Sequence, residues 1–382
     1  MNGSPSVLAT GAWLKNTACL WMNGQAHWSP VHGDLGTPEA CAALEVSVDS
    51  LLALAKHSGR PVQAVAHDLH PDFHSTRLAV EVAEQLGVPA IGVQHHQAHL
   101  AAVVAEHRLE GAVVGLALDG VGLGDDGTAW GGELLWLEGA ASERLGHLQP
   151  LALPGGDRAA REPWRMAASV LHALGRTAEI PSRWGPLVGS TRALGLVQML
   201  ERGVNCPATS SAGRWFDAAA AALGLCFEQQ EEAEAAIALE QAAARALVAD
   251  ADIQPLPAAV RIDAGQPQVL DLRPLWAGLL DTPAAEVDRR AAAFHLGLAE
   301  ALADWLVDAA RARGVRNVCL GGGCFFNRIL NERVQARLRA AGLEPFLPRA
   351  MGCGDAGLAI GQAWVALHRS RDHITEETPT CA

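Results

Sequence analysis

Apolar and polar positions along the chain switch between a two-residue and a helical period, and the switching predicts its elements. The short apolar runs SVLATGA and NTACLWMNG read as the two strands of an N-terminal hairpin. PEACAALEVSVDSLLALAKHSG then carries apolar residues at helical spacing and stops at Gly59. PVQAVAHD reads as a buried strand, STRLAVEVAEQLG as a helix with Ser75 as its N-cap, and PAIGVQ as another strand. The order is that of a βαβ unit. The histidine-rich VQHHQAHLAA follows directly, and HLAAVVAEH continues as a helix. In open α/β sheets, ligands bind where a strand's carboxyl end meets a helix start.

Near residue 112 the pattern restarts. GAVVGLALDG is a strand running into the glycine-rich turn DGVGLGDDGTAWGG, and ELLWLEG leads back out, giving a hairpin whose tip can wrap a phosphate. Residues 158–250 and 286–313 are alanine-rich helical sequence. NVCLGGGCFFNRILNERV is a strand, a glycine turn and a helix, and GCGDAGLAIGQAWVALH is a glycine-rich loop opening the final helix. One such hairpin and two such turns suggest two similar lobes facing a nucleotide cleft.

Composition narrows the classes. A chain of 382 residues that is 49% apolar and 19% charged is folded and large enough for two core-bearing lobes. Its formal charge of −13 opposes attraction to phosphate backbones, and no basic stripe stands out, so nucleic acid is not expected as a partner. Eight cysteines without a CxxC pair exclude zinc-finger and dithiol patterns and read as reduced thiols. The N-terminus lacks the form of a signal peptide, and no run approaches 18 apolar residues, so the expectation is a cytoplasmic protein that does not span a membrane.

Two constellations carry candidate chemistry. His95 and His99 are four apart and project from one face if the helix has begun there, the spacing used by paired imidazole metal ligands. Such a site needs a further ligand, and Asp355 in GCGDAGLA is the best candidate, since glycine neighbours allow close backbone approach. An N-cap role for Asp355 explains the same sequence. Asp119 and Asp126 lie in the hairpin turn, where carboxylates cannot bind phosphate directly but can orient a metal or a sugar hydroxyl. Gly321 to Gly323 could lie against a base or ribose. Neither stretch matches a Walker A or dinucleotide fingerprint.

In order and over nearly the whole chain, VAHDLHPDFHSTRLA, VQHHQAHLAA, LALDGVGLGDDGTAWGGE, LPGGDRAAREPWRMA, ATSSAGRWFDAAAAALG and LGGGCFFNRIL resemble the carboxyl-terminal carbamoyltransferase domain of the HypF family. So does the early LKNT with HGDL. The resemblance implies an α/β fold of the actin/sugar-kinase/Hsp70-like class, with two RNase-H-like lobes and helical insertions, close to the tRNA threonylcarbamoyltransferase TsaD. Residues 1–110 would form the first lobe, completed by the C-terminal helix 355–382. Residues 111–354 would form the second, with a mainly helical insertion around 155–310. It further implies a divalent metal, zinc or iron, on His95, His99 and Asp355, with magnesium a further option alongside the nucleotide. Nucleotide contacts would fall to Lys15, Asn16 and Thr17, to Asp119, Gly120, Gly122, Asp126 and Gly127, to Glu232, and to Gly322, Gly323 and Asn327 near the base. The implied activity passes a carbamoyl group from carbamoyl-adenylate, made from carbamoyl phosphate and ATP, to the C-terminal cysteine of HypE, towards the cyanide ligands of nickel-iron hydrogenases.

The chain departs from the family pattern at particular positions. It has Gly354 where Asn is usual before the metal aspartate, His67 for Cys, Phe326 for Gln, and EEAEAA for YEGQAA, which keeps Glu232 but puts Ala233 in the glycine's place. It shows no acylphosphatase module, no paired CxxC motifs and no YrdC-like lobe, as in a naturally short form or an excised piece. A YrdC-like adenylating module would then act in trans. Three alternatives share features of the sequence: a small-molecule O-carbamoyltransferase, a TsaD-like tRNA modifier, disfavoured by the charge, and a non-enzymatic maturation scaffold.

Overall fold

The computed structural model describes residues 5–256, 260–262 and 267–376, so the end of the expected C-terminal helix, 377–382, and Cys381 lie outside the described residues. In chain order the first elements are β1 (Ser6–Ala9), β2 (Cys19–Met22), β3 (Gln25–Trp28), α1 (Pro38–His57), β4 (Val62–Asp68), α2 (His74–Leu86), β5 (Ala90–Val93) and α3 (His95–His107). Next come β6 (Val113–Leu123), β7 (Ala129–Glu138), β8 (Ala141–Leu148), β9 (Leu151–Ala152), α4 (Asp157–Arg161), α5 (Pro163–Ala173), α6 (Ile180–Val188) and α7 (Ser190–Arg202). They are followed by β10 (Ala208–Thr209), α8 (Ala212–Ala222), α9 (Glu234–Ala249), β11 (Val260–Ile262), β12 (Gln268–Asp271), α10 (Arg273–Ala277) and α11 (Val287–Arg313). β13 (Asn317–Gly321), α12 (Arg328–Ala340), β14 (Glu344–Phe346) and α13 (Leu358–Glu376) complete the order.

One sheet runs β3-β2-β1-β4-β5, with antiparallel pairing among the first three and parallel pairing of β1 with β4 and β4 with β5. In the second, β8-β7-β6-β13-β14 repeats that order and those senses, and β12 and β11 extend it beyond β8. The α/β class expected from the sequence is thus present as two sheets of one topology. Helices α3 and α13 lie between them: α13 packs on β4, β1 and β2, and α3 on β6, β13 and β7. One apolar core joins Val7, Ala64 and Ala66 to Leu100, Val103, Ala117, Leu135 and Leu358. A larger core gathers α5, α8, α10 and α11 around the buried Trp164, Trp215, Trp276 and Trp305.

Several local expectations are corrected. Ser75 does not cap α2: the cap is Phe73, and the buried Ser75 hydroxyl donates to Ala12 O at 3.1 Å, pinning α2 to the turn after β1. The helix after β5 begins at His95, a start the sequence left open, because the Gln94 side chain caps it by accepting from Gln97 N. The sequence pattern does not predict strands β3, β8, β9, β10, β11, β12 and β14. β3 is a partly exposed edge strand, and edge strands carry weak alternation. No helix among the described residues is long and apolar enough to cross a membrane, and the seven described cysteines are unpaired.

Candidate metal and nucleotide site

Three elements converge between the sheets. Because α3 starts at His95, His95 and His99 stand one turn apart on the same face. Asp119 comes from β6, whose register with β7 shifts between Leu118 and Gly122 and turns the strand at that point. Asp355 opens the short 3-10 turn that leads into α13, and its side chain makes no capping bond, which answers the ambiguity left by the sequence. One ligand atom from each of His95, His99, Asp119 and Asp355 lies within 4.8 Å of the others, all buried or half-buried.

The imidazole Nε2 atoms face the carboxylates. His99 Nε2 is 2.8 Å from Asp119 Oδ2 and 3.6 Å from Asp355 Oδ1, and His95 Nε2 is 3.7 Å from each of the same two oxygens. His95 Nε2 has no hydrogen-bond partner although it is buried. On the other side of that ring, Nδ1 lies 2.7 Å from Oδ2 of the fully buried Asp68, whose Oδ1 accepts from His70 N. A carboxylate only accepts, so Nδ1 donates and Nε2 is the atom left for a ligand. Burial opposes charge on His95, yet Asp355, Asp68 and Asp119 outweigh it and hold its pKa well above the usual value. His99 is raised against the same burial penalty by Asp119 and Asp355, and both those aspartates are held low, against burial, by the two histidines. Two imidazoles and two carboxylates around an orphaned buried nitrogen fit a divalent cation of the zinc or iron type.

Glycines make the approach possible. A Cβ on Gly122 would come to 2.7 Å from atoms of both His95 and His96, one on Gly321 to 3.2 Å from His99, and one on Gly322 to 2.3 Å from Leu118 O. Gly321 and Gly322 thus lie against α3 and β6, and Gly323 borders Asp119. His96, the third imidazole in that stretch of sequence, stays outside the four-residue cluster: its Nδ1 faces Gln94 Nε2 and its ring tilts against Trp130.

The remaining candidates divide. Lys15 and Glu232, 217 residues apart, meet in a 2.7 Å ion pair with both side chains about half exposed, and Asp355 is among the charges acting on Lys15. Asn16 is fully buried, donating to Thr10 O and Ala12 O and facing His32, while Thr17 donates to Ala356 O at 2.7 Å beside Asp355. Asn327 caps α12 and faces His295. These three side chains are committed to the fold, Thr17 by holding the Asp355 turn. Asp126 accepts from Thr128 and Trp130 and pairs with Arg144, so the hairpin tip with Gly127 is closed by its own bonds. Gly120 has open space on its Cβ side and packs against Gly213 on another, and Gly323 borders Asp119. Sequence reasoning passed over Asp68, although it stands in VAHDLHPDF at the carboxyl end of β4, the position where such sheets place functional side chains.

Comparison with known proteins agrees with this architecture. Residues 2–106 match the HypF Kae1-like domain, and residues 115–362 match the second subdomain of the carbamoyltransferase Kae1-like domain. A carbamoyltransferase HypF homolog of Cupriavidus necator is 56% identical over 98% of this chain and 96% of its own length. Carbamoyltransferase HypF of Rhizobium leguminosarum bv. viciae is 43% identical over 99% of this chain but only 47% of its own length, so the chain spans about half of that relative. Full-length HypF in its phosphate- and nucleotide-bound form superposes with a TM-score of 0.84 at 29% identity, covering 96% of this chain and 47% of that one. HypF of T. kodakarensis gives 0.84 at 30%, covering 97% and 48%. The chain belongs to the HypF carbamoyltransferase family and corresponds to its Kae1-like part.

Proposed function

We propose that this protein transfers a carbamoyl group from carbamoyl-adenylate to the C-terminal cysteine thiol of HypE, in the cytoplasm, during nickel-iron hydrogenase maturation. The observation that carries the reading is the convergence of His95, His99, Asp119 and Asp355 in a chain of this family. These four side chains would hold a divalent cation, which when bound supplies positive charge to a phosphate or carbonyl oxygen. Asp68 fixes the His95 ring, and Thr17 fixes the turn carrying Asp355. Lys15, half exposed and within the field of Asp355, would meet a phosphate once it leaves Glu232.

The reaction needs no nucleophile from this chain. The HypE thiolate attacks the carbamoyl carbon, the new C–S bond forms as the carbon–phosphate oxygen bond breaks, and AMP leaves with that electron pair. Holding AMP as leaving group and orienting the carbonyl are the tasks left to the cleft. Activation of carbamoyl phosphate is assigned to a YrdC-like module acting in trans. Mass spectrometry of HypE incubated with this protein, carbamoyl phosphate and ATP tests the reading. A carbamoyl increment on the terminal cysteine is expected only when the YrdC-like module is added. No increment even with the module refutes the transfer, and AMP and pyrophosphate release by this chain alone refutes the division of labour.

A further inference from the structure

Of the eleven tryptophans and seven phenylalanines, all among the described residues, Phe326 alone is exposed, with 59% of its surface open to water. A lone exposed apolar residue is ordinary on a protein surface, so its position decides whether it means anything. Phe326 ends the short turn Gly323–Phe326, and at Gly323 an added Cβ would lie 3.2 Å from Asp119 Oδ1 of the metal cluster. Its ring rests on the opposing loop: a Cβ on Gly352 or Gly354 would come to 3.1 or 3.0 Å from ring carbons. That loop leads into Asp355 and is tied to the Phe326 turn where Gly322 N donates to Cys353 O at 3.0 Å. The ring therefore sits between the turn that borders Asp119 and the loop that leads into Asp355. Gly354 and Phe326, noted separately as departures from the family pattern, touch one another. The missing side chain at 354 leaves the space in which the ring lies.

We propose that Phe326 is the base-stacking platform of the cleft, so that this chain grips a nucleotide by the face of its base rather than by reading the base's edge. The inference rests on the nucleotide reading above. A phenyl ring has no donor or acceptor with which to tell adenine from guanine, whereas every base offers a π-face to stack. AMP and GMP should accordingly bind this chain with similar affinity, and both more tightly than ribose 5-phosphate, which lacks a base. Stacking of a base on an aromatic ring is worth about 1–3 kcal/mol, or roughly a 5- to 150-fold change in affinity.

Calorimetric titration with AMP, GMP and ribose 5-phosphate tests this. Phe326→Ala should weaken both nucleotides within that range and leave ribose 5-phosphate unchanged. Phe326→Trp should restore binding, and Phe326→Leu, which keeps apolar bulk without a π-face, should not. Gly354→Ala is compatible with the backbone at φ −88° but displaces the ring, so it should weaken nucleotides in the parent and add nothing to Phe326→Ala. Equal loss for ribose 5-phosphate, or a Leu variant as good as the parent, overturns the stacking role. Unchanged nucleotide affinity in Phe326→Ala also overturns it. Failure of the parent chain to bind any nucleotide refutes the functional reading itself, a result separate from these.

Discussion

At the scale of single residues, the cluster depends on a side chain that does not belong to it. Asp68 is fully buried and spends one oxygen on His95 Nδ1 and the other on His70 N, so it sets which His95 nitrogen faces the cluster. Removing such an orienting carboxylate typically costs about 10- to 100-fold in metal affinity, whereas losing a ligand costs more. Asp68→Asn should therefore lower zinc affinity by roughly that factor, with His95→Ala and His99→Ala lower still. Chelator competition measures the order, and full metal content in both alanine variants would reject the site. The His95 and His99 pair was legible because helical spacing is written in sequence. Asp68 was not, since its partner lies 27 positions away and no local pattern reports a carboxylate folded under an imidazole. Ala233 is a further case: the sequence showed only that it stands in a glycine's place, and the structure shows φ at +61°, the left-handed region.

At the scale of elements, the site is a crossing of two helices. Gly361 in α13 faces α3 so closely that a Cβ there would come to 1.9 Å from Ala98 O. Gln362 locks the same stretch by exchanging two hydrogen bonds with the backbone of Gly11. α3 carries His95 and His99, and α13 is led in by Asp355, so the helix separation sets the ligand separation. Gly361→Ala forces the helices apart, and overpacking of this kind costs on the order of 1–3 kcal/mol. A lower melting temperature together with weaker metal binding is expected. Parent-like values for both would show that the crossing does not hold the site. The helices were evident from periodicity, but their contact was not, because a glycine within a helical run looks the same whether or not another backbone lies against it.

At the scale of the whole molecule, the insertion helices are fastened by one carboxylate. Glu162 accepts from Arg158 at 2.5 Å, Arg165 at 2.5 Å and Trp164 at 3.2 Å, and pairs with Arg192 at 3.0 Å, joining α4, α5 and α7. Burial opposes its charge, but Arg165 and Arg158 prevail and bring its pKa down to about 2. A carboxyl group depressed in the folded state contributes stability above its unfolded pKa of about 4.5, and that contribution is lost as the pH falls towards 2. Arg158 and Arg192 are open to solvent, which screens their charge, so the contribution is reduced to on the order of 1–2 kcal/mol. Glu162→Gln should thus unfold at lower urea than the parent at pH 7, with a gap constant down to about pH 4.5 and narrowing below it. A gap that stays the same at pH 3 would contradict the assignment.

The sequence by itself determined the α/β class, the order of its main elements, the His95 and His99 spacing and the family, because each is carried by residue type and local period. Only the tertiary structure decided that Asp119 joins His95, His99 and Asp355 in one cluster, that Asp68 stands behind His95, and that Asn16, Thr17 and Asn327 are spent on the fold. It also decided which strands of the larger second sheet, β8-β7-β6-β13-β14, repeat the order of the first. These are contacts between positions tens to hundreds of residues apart. Such contacts are set by how helices and sheets pack, and packing depends on shapes brought together in space, which no window of sequence contains.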